Sequence, residues 1–267
     1  MPYSRITYAV DGGIAELELN DPPANTYSYE MMRDIDDAVL AARMDPAVHV
    51  IVIRGAGDRF FCAGANISML TKADPEWKYY FCLHANETMN RLEQTPKLVI
   101  AALNGHCVGG GLEVAMAADL RVAKKDAGKI GLPEVKLGVL PGTGGTQRMA
   151  RLLGKAKAIE LMATGRLMSF DEAQAVGLVN EVWGEEQLRG RSFRDAALDY
   201  AKQFTPPNAA SRAVGHIKRA VQSGLEVGFH EGLALERELQ QRLFESADAA
   251  EGLKANVEKR AAKFSGR

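Results

Sequence analysis

The first forty-five residues change from a two-residue to a helical hydrophobic period. Apolar side chains alternate with polar ones on both sides of Asp11-Gly12-Gly13, so this stretch predicts a two-stranded hairpin. Asn20-Asp21-Pro22-Pro23 ends the hairpin, and Asp45-Pro46 ends the helix predicted after it. The apolar face of that helix consists of Met32, Ile35, Val39 and Ala42.

Short apolar runs then alternate with helical stretches. Residues 48–53 and Leu98–Leu103 are apolar almost throughout, which is typical of buried strands, and residues 120–123 predict a further short strand. A long helix is predicted over Pro75–Gln94, before Thr95-Pro96. Strands and helices in this order need crossover connections, so the pattern predicts the α/β class with an at least partly parallel sheet.

Helical patterns dominate after about residue 145. They predict helices over residues 148–153, 156–163, 170–176, 185–204 and 209–224. Residues 227–264 are charged with interspersed leucines, which predicts helices that are exposed on one side. We therefore predict a core over residues 1–200 and a C-terminal helical region over residues 201–267.

Composition narrows the class of protein. Hydrophobic residues make up 46% of the 267 positions and charged residues 25%, which is typical of a globular protein. With 33 basic and 34 acidic residues, the net charge of −1 offers no global field for nucleic acid or an anionic membrane. No run is long enough to span a membrane, and the first residues do not resemble a targeting signal.

Cysteine and histidine spacing adds two expectations. Cys62, Cys82 and Cys107 are odd in number and form no C-x-x-C pair, which favours reduced thiols in the cytoplasm. The five histidines show no H-x-x-x-H spacing, so no metal site is predicted.

Two loops that lead from a predicted buried strand toward a helix are the first candidates for chemistry. They are residues 62–66 and the glycine run 109–111. Small residues let a ligand approach the main chain, and the first N–H groups of a helix lack internal partners. Such donors suit an oxyanion or a phosphate. The alternative is that the glycines only allow tight packing of strand on helix.

Two isolated glutamates follow these loops. Glu113 lies in an apolar, small-residue stretch, and Glu134 lies between Pro133 and Val135. A carboxylic acid in apolar surroundings has a raised pKa and can act as a general acid or base. The alternative for Glu113 is a solvent-facing residue in the first turn of a helix. Spacing alone does not bring the two glutamates together.

Taken in order, several segments resemble the crotonase (enoyl-CoA hydratase/isomerase) superfamily. They are FCAGANI, NGHCVGGGLEVAMAADLRVA, GLPEVKLGVLPGTGGTQRM, GRLMSFDEAQAVGLVNEV and the final EGLKANVEKRAAKF. The resemblance extends from about Ile6 to Phe264. It implies a crotonase-type ββα spiral core with a helical C-terminal region, assembled as trimers or dimers of trimers, in which that region takes part in assembly and in closing the active site.

The resemblance also implies roles for individual residues. The N–H groups of Ala65 and Gly110 would form an oxyanion hole for an acyl-CoA thioester, Glu134 would protonate the α-carbon, and Glu113 would help to activate water. Coenzyme A would enter as part of the substrate, with no other cofactor. The further substrate contacts implied are Ala63, Gly64, Asn66, Ile67, Gly109, Pro133, Gly142 and Lys259. For Lys259, an ordinary solvated lysine is the alternative.

Because both glutamates are present, the resemblance implies hydration of a 2-enoyl-CoA. Two alternatives use the same scaffold. One is an enoyl-CoA isomerase, and the other is a hydratase or ring-cleaving hydrolase that acts on a cyclic acyl-CoA. A crotonase-like RNA-binding protein is a third, but the net charge does not support it. The resemblance also implies that the loop over residues 142–145 borders Glu134.

This chain departs from the family pattern in places. Asn66 stands where the family usually has Asp, and Ser68 stands where Lys or Arg is frequent. The aromatic residues between Trp77 and Phe81 would form either an acyl pocket with Tyr27 or, as we favour, helix core.

Four further side chains are assigned structural roles. Cys62 and Cys107 are expected to be small buried residues and not nucleophiles. Gln147 and Arg148 are expected to serve in helix capping and surface packing.

Overall fold

A computed structural model describes residues 3–267. Its larger sheet has six strands in the order β1-β2-β3-β5-β7-β9. β1 pairs with β2 antiparallel, as the hairpin prediction required, and all other neighbours in this sheet are parallel. The α/β class is therefore confirmed. The strands are β1 (Ile6–Asp11), β2 (Ile14–Leu19), β3 (Val50–Gly55), β5 (Leu98–Leu103), β7 (Leu120–Lys124) and β9 (Glu181–Trp183).

A second, three-stranded parallel sheet has the order β4-β6-β8. Its strands are β4 (Phe60–Cys62), β6 (His106–Val108) and β8 (Ile130–Gly131). The sequence did not predict this sheet, because two or three residues are too few to show an alternating pattern. The sheet matters for function because both candidate loops begin at its strand ends.

Helices connect the strands and form the whole C-terminal part. In chain order they are α1 (Tyr29–Met44), α2 (Ile67–Leu70), α3 (Pro75–Gln94), α4 (Gly110–Met116), α5 (Gly145–Leu153), α6 (Lys155–Thr164), α7 (Phe170–Ala175), α8 (Glu185–Leu188), α9 (Phe193–Lys202), α10 (Ser211–Gly224), α11 (Phe229–Phe244) and α12 (Ala247–Glu258). Glu134–Leu137 forms one 3₁₀ turn.

Local sequence sets several helix boundaries. The Ser28 side chain accepts a hydrogen bond from the first turn of α1, and Asp74 does the same for α3, which begins with Pro75. The single helix predicted over residues 185–204 is wrong. Arg189 and Gly190 adopt left-handed φ angles of 52° and 73°, which end α8 and separate it from α9.

The six-stranded sheet is covered on both faces. Ile51 and Ile53 face the large core that contains α1, whereas Val50 and Val52 face a second core formed with α9. β5 is buried along its whole length for the same reason. This explains why these strands are apolar at every position and do not alternate.

The C-terminal helices pack back on the core. α10 contacts α3 and β5, and the last residues fold against α12, where the Asp248 carboxylate accepts hydrogen bonds from the N–H groups of Ser265 and Gly266.

The proposed boundary after residue 200 falls inside α9, so the division into two parts remains a prediction. Within residues 3–267, no helix is long and apolar enough to cross a membrane.

Candidate active site

The two candidate loops lie side by side because β4 and β6 are parallel neighbours. Each loop leaves the carboxyl end of its strand, one after Cys62 and the other after Val108. A Cβ built on Gly64 would lie 3.2 Å from the nitrogen of Gly110, which shows how closely the two backbones approach. The structure therefore brings Ala65 and Gly110 into one site, although they are far apart in sequence.

Both main-chain donors predicted for the oxyanion hole lack an acceptor. Tyr27 and Ala65 form a parallel bridge, in which Tyr27 N–H donates to Gly64 (3.0 Å) and Asn66 N–H donates to Tyr27 (3.0 Å). This pattern directs the Ala65 N–H away from Tyr27. Gly110 is the first residue of α4, so its N–H has no helical partner. Neither group has an acceptor among residues 3–267.

Each glycine of the run 109–111 is required for a different reason. Gly109 adopts a left-handed φ of 58°. A Cβ on Gly110 would lie 2.0 Å from the Tyr27 ring, and one on Gly111 would lie 2.2 Å from the Cys62 carbonyl oxygen. The run thus serves both tight packing and exposure of a main-chain donor, which the sequence left as alternatives.

Glu113 is buried, with 2% of its surface exposed, and three donors hold its carboxylate. Oε1 accepts hydrogen bonds from the N–H groups of Thr143 (2.8 Å) and Gly145 (2.7 Å), and Oε2 accepts one from the Thr143 hydroxyl. The alternative of a solvent-facing residue is therefore wrong. The loop over residues 142–145, which was expected to border Glu134, hydrogen-bonds to Glu113.

Glu134 has a different environment. It begins the 3₁₀ turn and is half-buried, and its Oε2 is buried without a hydrogen-bond partner among the described residues. Burial, together with the nearby charge of Glu113, raises the pKa of Glu134 to about 7. A Cβ on Gly109 would lie 3.0 Å from Glu134 Oε1, so this carboxyl group lies next to the Gly110 donor.

The two carboxyl groups therefore suit different tasks. A carboxylate has about four acceptor positions, and Glu113 uses three of them within the protein, which leaves one for the proton of a water. Glu134 carries a proton at neutral pH in a substantial fraction of molecules, because its pKa is about 7. One group is thus arranged to accept and the other to donate a proton.

The remaining predicted contacts lie in or beside the same loops, except for Lys259. Asn66 caps α2 by accepting a hydrogen bond from the Met69 N–H (3.0 Å), a role that its amide fulfils in place of the family's Asp. Ile67 is exposed directly after it, and Pro133 precedes the 3₁₀ turn. Lys259 is the exception: it is exposed at the end of α12 and forms no side-chain hydrogen bond within residues 3–267.

Two further contacts complete the loops. The Ala63 N–H donates to the Ala24 carbonyl oxygen (3.1 Å), which ties the first loop to the segment before Tyr27. Gly142 packs against Cys82, since a Cβ there would lie 3.3 Å from its sulfur.

The aromatic cluster on α3 is only partly core. Phe81 is buried and lies against the Tyr27 ring (5.9 Å between centroids), and Trp77 stacks on Phe81. Tyr79 and Tyr80 are 65% and 57% exposed, so the expectation of helix core is wrong for them. Helical geometry directs only one side of α3 to the core, and these two residues fall outside that side.

Arg148 is not the surface residue that we expected. It is buried behind the loop over residues 142–145, where its guanidinium contacts Glu93 (2.8 Å) and Asn90 (2.9 Å). Gln147 is exposed, in agreement with the prediction. No feature of the local sequence distinguishes these two neighbours, because the partners of Arg148 come from α3.

The cysteines near the loops behave as buried side chains. Burial raises the pKa of the Cys62 thiol to about 12 and that of Cys107 well above its usual range. Neither thiol is therefore a thiolate nucleophile at neutral pH. Among residues 3–267, no group of three His, Cys, Asp or Glu side chains is placed to hold a metal ion.

Sequence reasoning missed Thr143 and Gly145 as partners of Glu113. A single hydroxyl residue among glycines in PGTGG was the available signal, but nothing in the spacing connects it to Glu113. Tyr27 was assigned to an acyl pocket or to core; it is buried in the core, and its hydroxyl lies 3.2 Å from the Thr143 hydroxyl.

Comparison with known proteins identifies the family. The model of the family described as enoyl-CoA hydratase/isomerase matches residues 9–267. The chain belongs to this family. A crystal structure of an enoyl-CoA hydratase from Geobacillus kaustophilus HTA426 superimposes with a TM-score of 0.92 at 42% identity, covering 100% of this chain and 98% of that one. The crotonase-type fold is therefore confirmed.

Two relatives of known name are similar over most of their length. Crotonyl-CoA hydratase from Syntrophomonas wolfei is 36% identical over 265 residues, which is 99% of each chain. Mitochondrial methylglutaconyl-CoA hydratase from Rattus norvegicus is 37% identical over 242 residues, which is 91% of this chain and 76% of that protein.

Proposed function

We propose that the protein is an enoyl-CoA hydratase, a hydro-lyase that adds water across the double bond of a 2-enoyl-CoA to give a 3-hydroxyacyl-CoA, and catalyses the reverse dehydration. One observation carries this proposal: beside two main-chain donors that lack acceptors lie a carboxylate with one free acceptor position and a half-buried carboxylic acid with a pKa of about 7. Family membership supports it.

The residues would divide the reaction as follows. The thioester oxygen accepts hydrogen bonds from the N–H groups of Ala65 and Gly110, which stabilise the enolate that develops there. A water held by Glu113 attacks C3 while Glu134 donates its proton to C2. The C3–O and C2–H bonds form as the π bond breaks, and the carboxylate pair takes the proton that water releases. Proton exchange with solvent then restores the starting state.

Water chemistry fits these groups better than isomerisation. A double-bond shift needs one group that both removes and returns a proton, and it does not need a second carboxylate that holds a water. Glu113 has no evident task in that reaction, whereas hydration uses both glutamates. The net charge of −1 gives no support to RNA binding.

Incubation of the purified protein with crotonyl-CoA tests the proposal. We expect the absorbance of the conjugated thioester to fall and 3-hydroxybutyryl-CoA to appear. Methylglutaconyl-CoA extends the panel, because the relatives named for crotonyl-CoA and for methylglutaconyl-CoA are about equally similar to this chain. Cyclic enoyl-CoAs are added to test the alternative of a cyclic substrate. Formation of a shifted double bond without water addition would contradict the hydratase and favour an isomerase.

We also propose that the chain assembles as a homotrimer or a dimer of trimers. Large apolar side chains are exposed along the C-terminal helices and would be covered by a neighbouring copy. They are Ile217, Val221, Leu225, Val227, Phe229, Phe244, Leu253 and Val257. Sedimentation equilibrium should give three or six times the chain mass of 28.9 kDa, whereas a monomer at micromolar concentration would contradict the assembly.

Two finer expectations belong with this proposal. Lys259 would contact the coenzyme A phosphates, which its exposed ammonium suits. The cytoplasm remains the expected compartment, a view that the three free cysteines support.

A further inference from the structure

Tyr27 has a polar group that is deep in the protein. The residue is 3% exposed, and its hydroxyl lies 3.2 Å from the Thr143 hydroxyl. Burial, together with the charge of Glu113, raises the pKa of Tyr27 well above its usual value, so the hydroxyl keeps its proton. A tyrosine placed here only to fill space would gain nothing from that hydroxyl, which must lose its hydration on burial.

The hydrogen bonds that start at Tyr27 have a fixed direction. A carboxylate accepts hydrogen bonds and donates none. The Thr143 hydroxyl has one proton, and it donates this proton to Glu113 Oε2. Thr143 can therefore only accept from Tyr27, so the chain runs from the Tyr27 O–H through the Thr143 hydroxyl to Glu113. Each bond polarises the next one.

The same tyrosine also contacts both oxyanion donors. Its main chain forms a parallel bridge with Ala65, which directs the Ala65 N–H away from Tyr27. Its ring lies against Gly110 so closely that a Cβ there would come within 2.0 Å of it. The ring is supported from behind by Phe81, on which Trp77 stacks.

We propose that Tyr27 is a positioning residue that connects the oxyanion hole to the water-holding carboxylate. Its hydroxyl orients the Thr143 hydroxyl, and thereby keeps the fourth acceptor position of Glu113 aimed at water. Its ring and main chain keep Ala65 and Gly110 at the spacing that the thioester oxygen needs. This inference rests on the proposed hydratase function and adds a residue that acts through Thr143, Ala65 and Gly110.

Tyr27→Phe removes the hydroxyl and keeps the ring against Gly110. We expect kcat for hydration to fall about 3- to 10-fold, the value of one lost hydrogen bond, with KM changed less than about twofold. The pH at which the rate falls, set by Glu134, should stay the same. A purely structural tyrosine predicts no such loss of kcat in a folded variant.

A double-mutant cycle with Thr143→Val tests whether Tyr27 acts through Thr143. In the Thr143→Val background, Tyr27→Phe should lower kcat by less than about twofold, because the path to Glu113 is already broken. In a Thr143→Ser background, which keeps the hydroxyl, Tyr27→Phe should again cost its full factor. Independent, multiplicative losses in the Val background would overturn the proposal.

Tyr29→Phe is the matched control. Tyr29 is two residues away, is 39% exposed and packs on Trp77 and His84 without contacting Glu113 or the donor loops. Its variant should retain wild-type kcat, and thermal unfolding of all variants checks that they fold. Unchanged kcat in folded Tyr27→Phe overturns the role of Tyr27. Wild-type protein that hydrates none of the panel overturns the hydratase, and this is measured first.

Discussion

Glu134→Gln is expected to lower kcat for hydration by about 10²- to 10⁴-fold, the usual contribution of a general acid. The amide has nearly the same shape but no acidic proton for C2. The oxyanion donors Ala65 and Gly110 are untouched, so KM should change much less than kcat. Turnover of crotonyl-CoA by the variant within tenfold of wild type would remove Glu134 from the mechanism.

The pH dependence of the wild type follows from the same residue. Hydration needs the protonated acid, so with a pKa of about 7 the rate should be constant below pH 7 and fall above it. Dehydration passes through the same singly protonated carboxyl pair, because the reaction releases no net proton, so its rate should fall above the same pH. Initial rates in both directions between pH 5 and pH 9 check this, and the limb should disappear in Glu134→Gln.

Protein stability should also depend on pH through Glu134. The pKa of Glu134 is raised from 4.5 to about 7, so between these pH values the folded state binds more protons than the unfolded state. The free energy of unfolding from this group therefore falls as pH rises through that window. Glu134→Gln should unfold at a higher temperature than wild type at pH 8, and at the same temperature near pH 4.

Glu113→Gln is the second large effect, and kcat should again fall by about 10²- to 10⁴-fold. The glutamine oxygen can still accept from the N–H groups of Thr143 and Gly145. The amide nitrogen then faces Thr143, whose hydroxyl can turn and accept from it. The variant keeps its internal bonds but loses the acceptor that holds water.

A measurement of stability distinguishes the loss of catalysis in Glu113→Gln from simple unfolding. We expect its stability to fall by only about 1 kcal/mol, the scale of one rearranged hydrogen bond. Glu186→Gln, an exposed residue on α8, serves as a control that should match wild type in both measurements. Near-native kcat in Glu113→Gln would exclude the assigned role of Glu113 in water activation.

The helices and strands that were predicted correctly are those whose own sequence of apolar and polar residues shows which of their sides are buried. β5 and α3 are of this kind: one is buried on both faces, and the other is capped by Asp74 and stopped before Pro96. The break between α8 and α9 depends on the left-handed conformation of Arg189, which composition does not reveal. The small sheet depends on pairing between distant segments and so has no local pattern.

The residues of the candidate site also fall into a group that the sequence predicted and a group that it did not. Ala65, Gly110, Glu113 and Glu134 were suggested by local context and by resemblance to a family, and the structure places their loops together. The groups that hold Glu113 in place were not predictable, because Thr143 lies 30 positions along the chain from it. A partner that is specified only by three-dimensional contact leaves no trace in the spacing of one sequence.

The three-stranded sheet separates two tasks that evolution can change independently. Its strands set the distance between the reacting groups, since the donor loops and the segment of Glu134 all start from its strand ends. The exposed residue Ile67 lies on α2, outside this frame. Substitutions there can alter the chosen acyl group while the catalytic distances are preserved. One scaffold can in this way supply many substrate preferences from a single reaction chemistry.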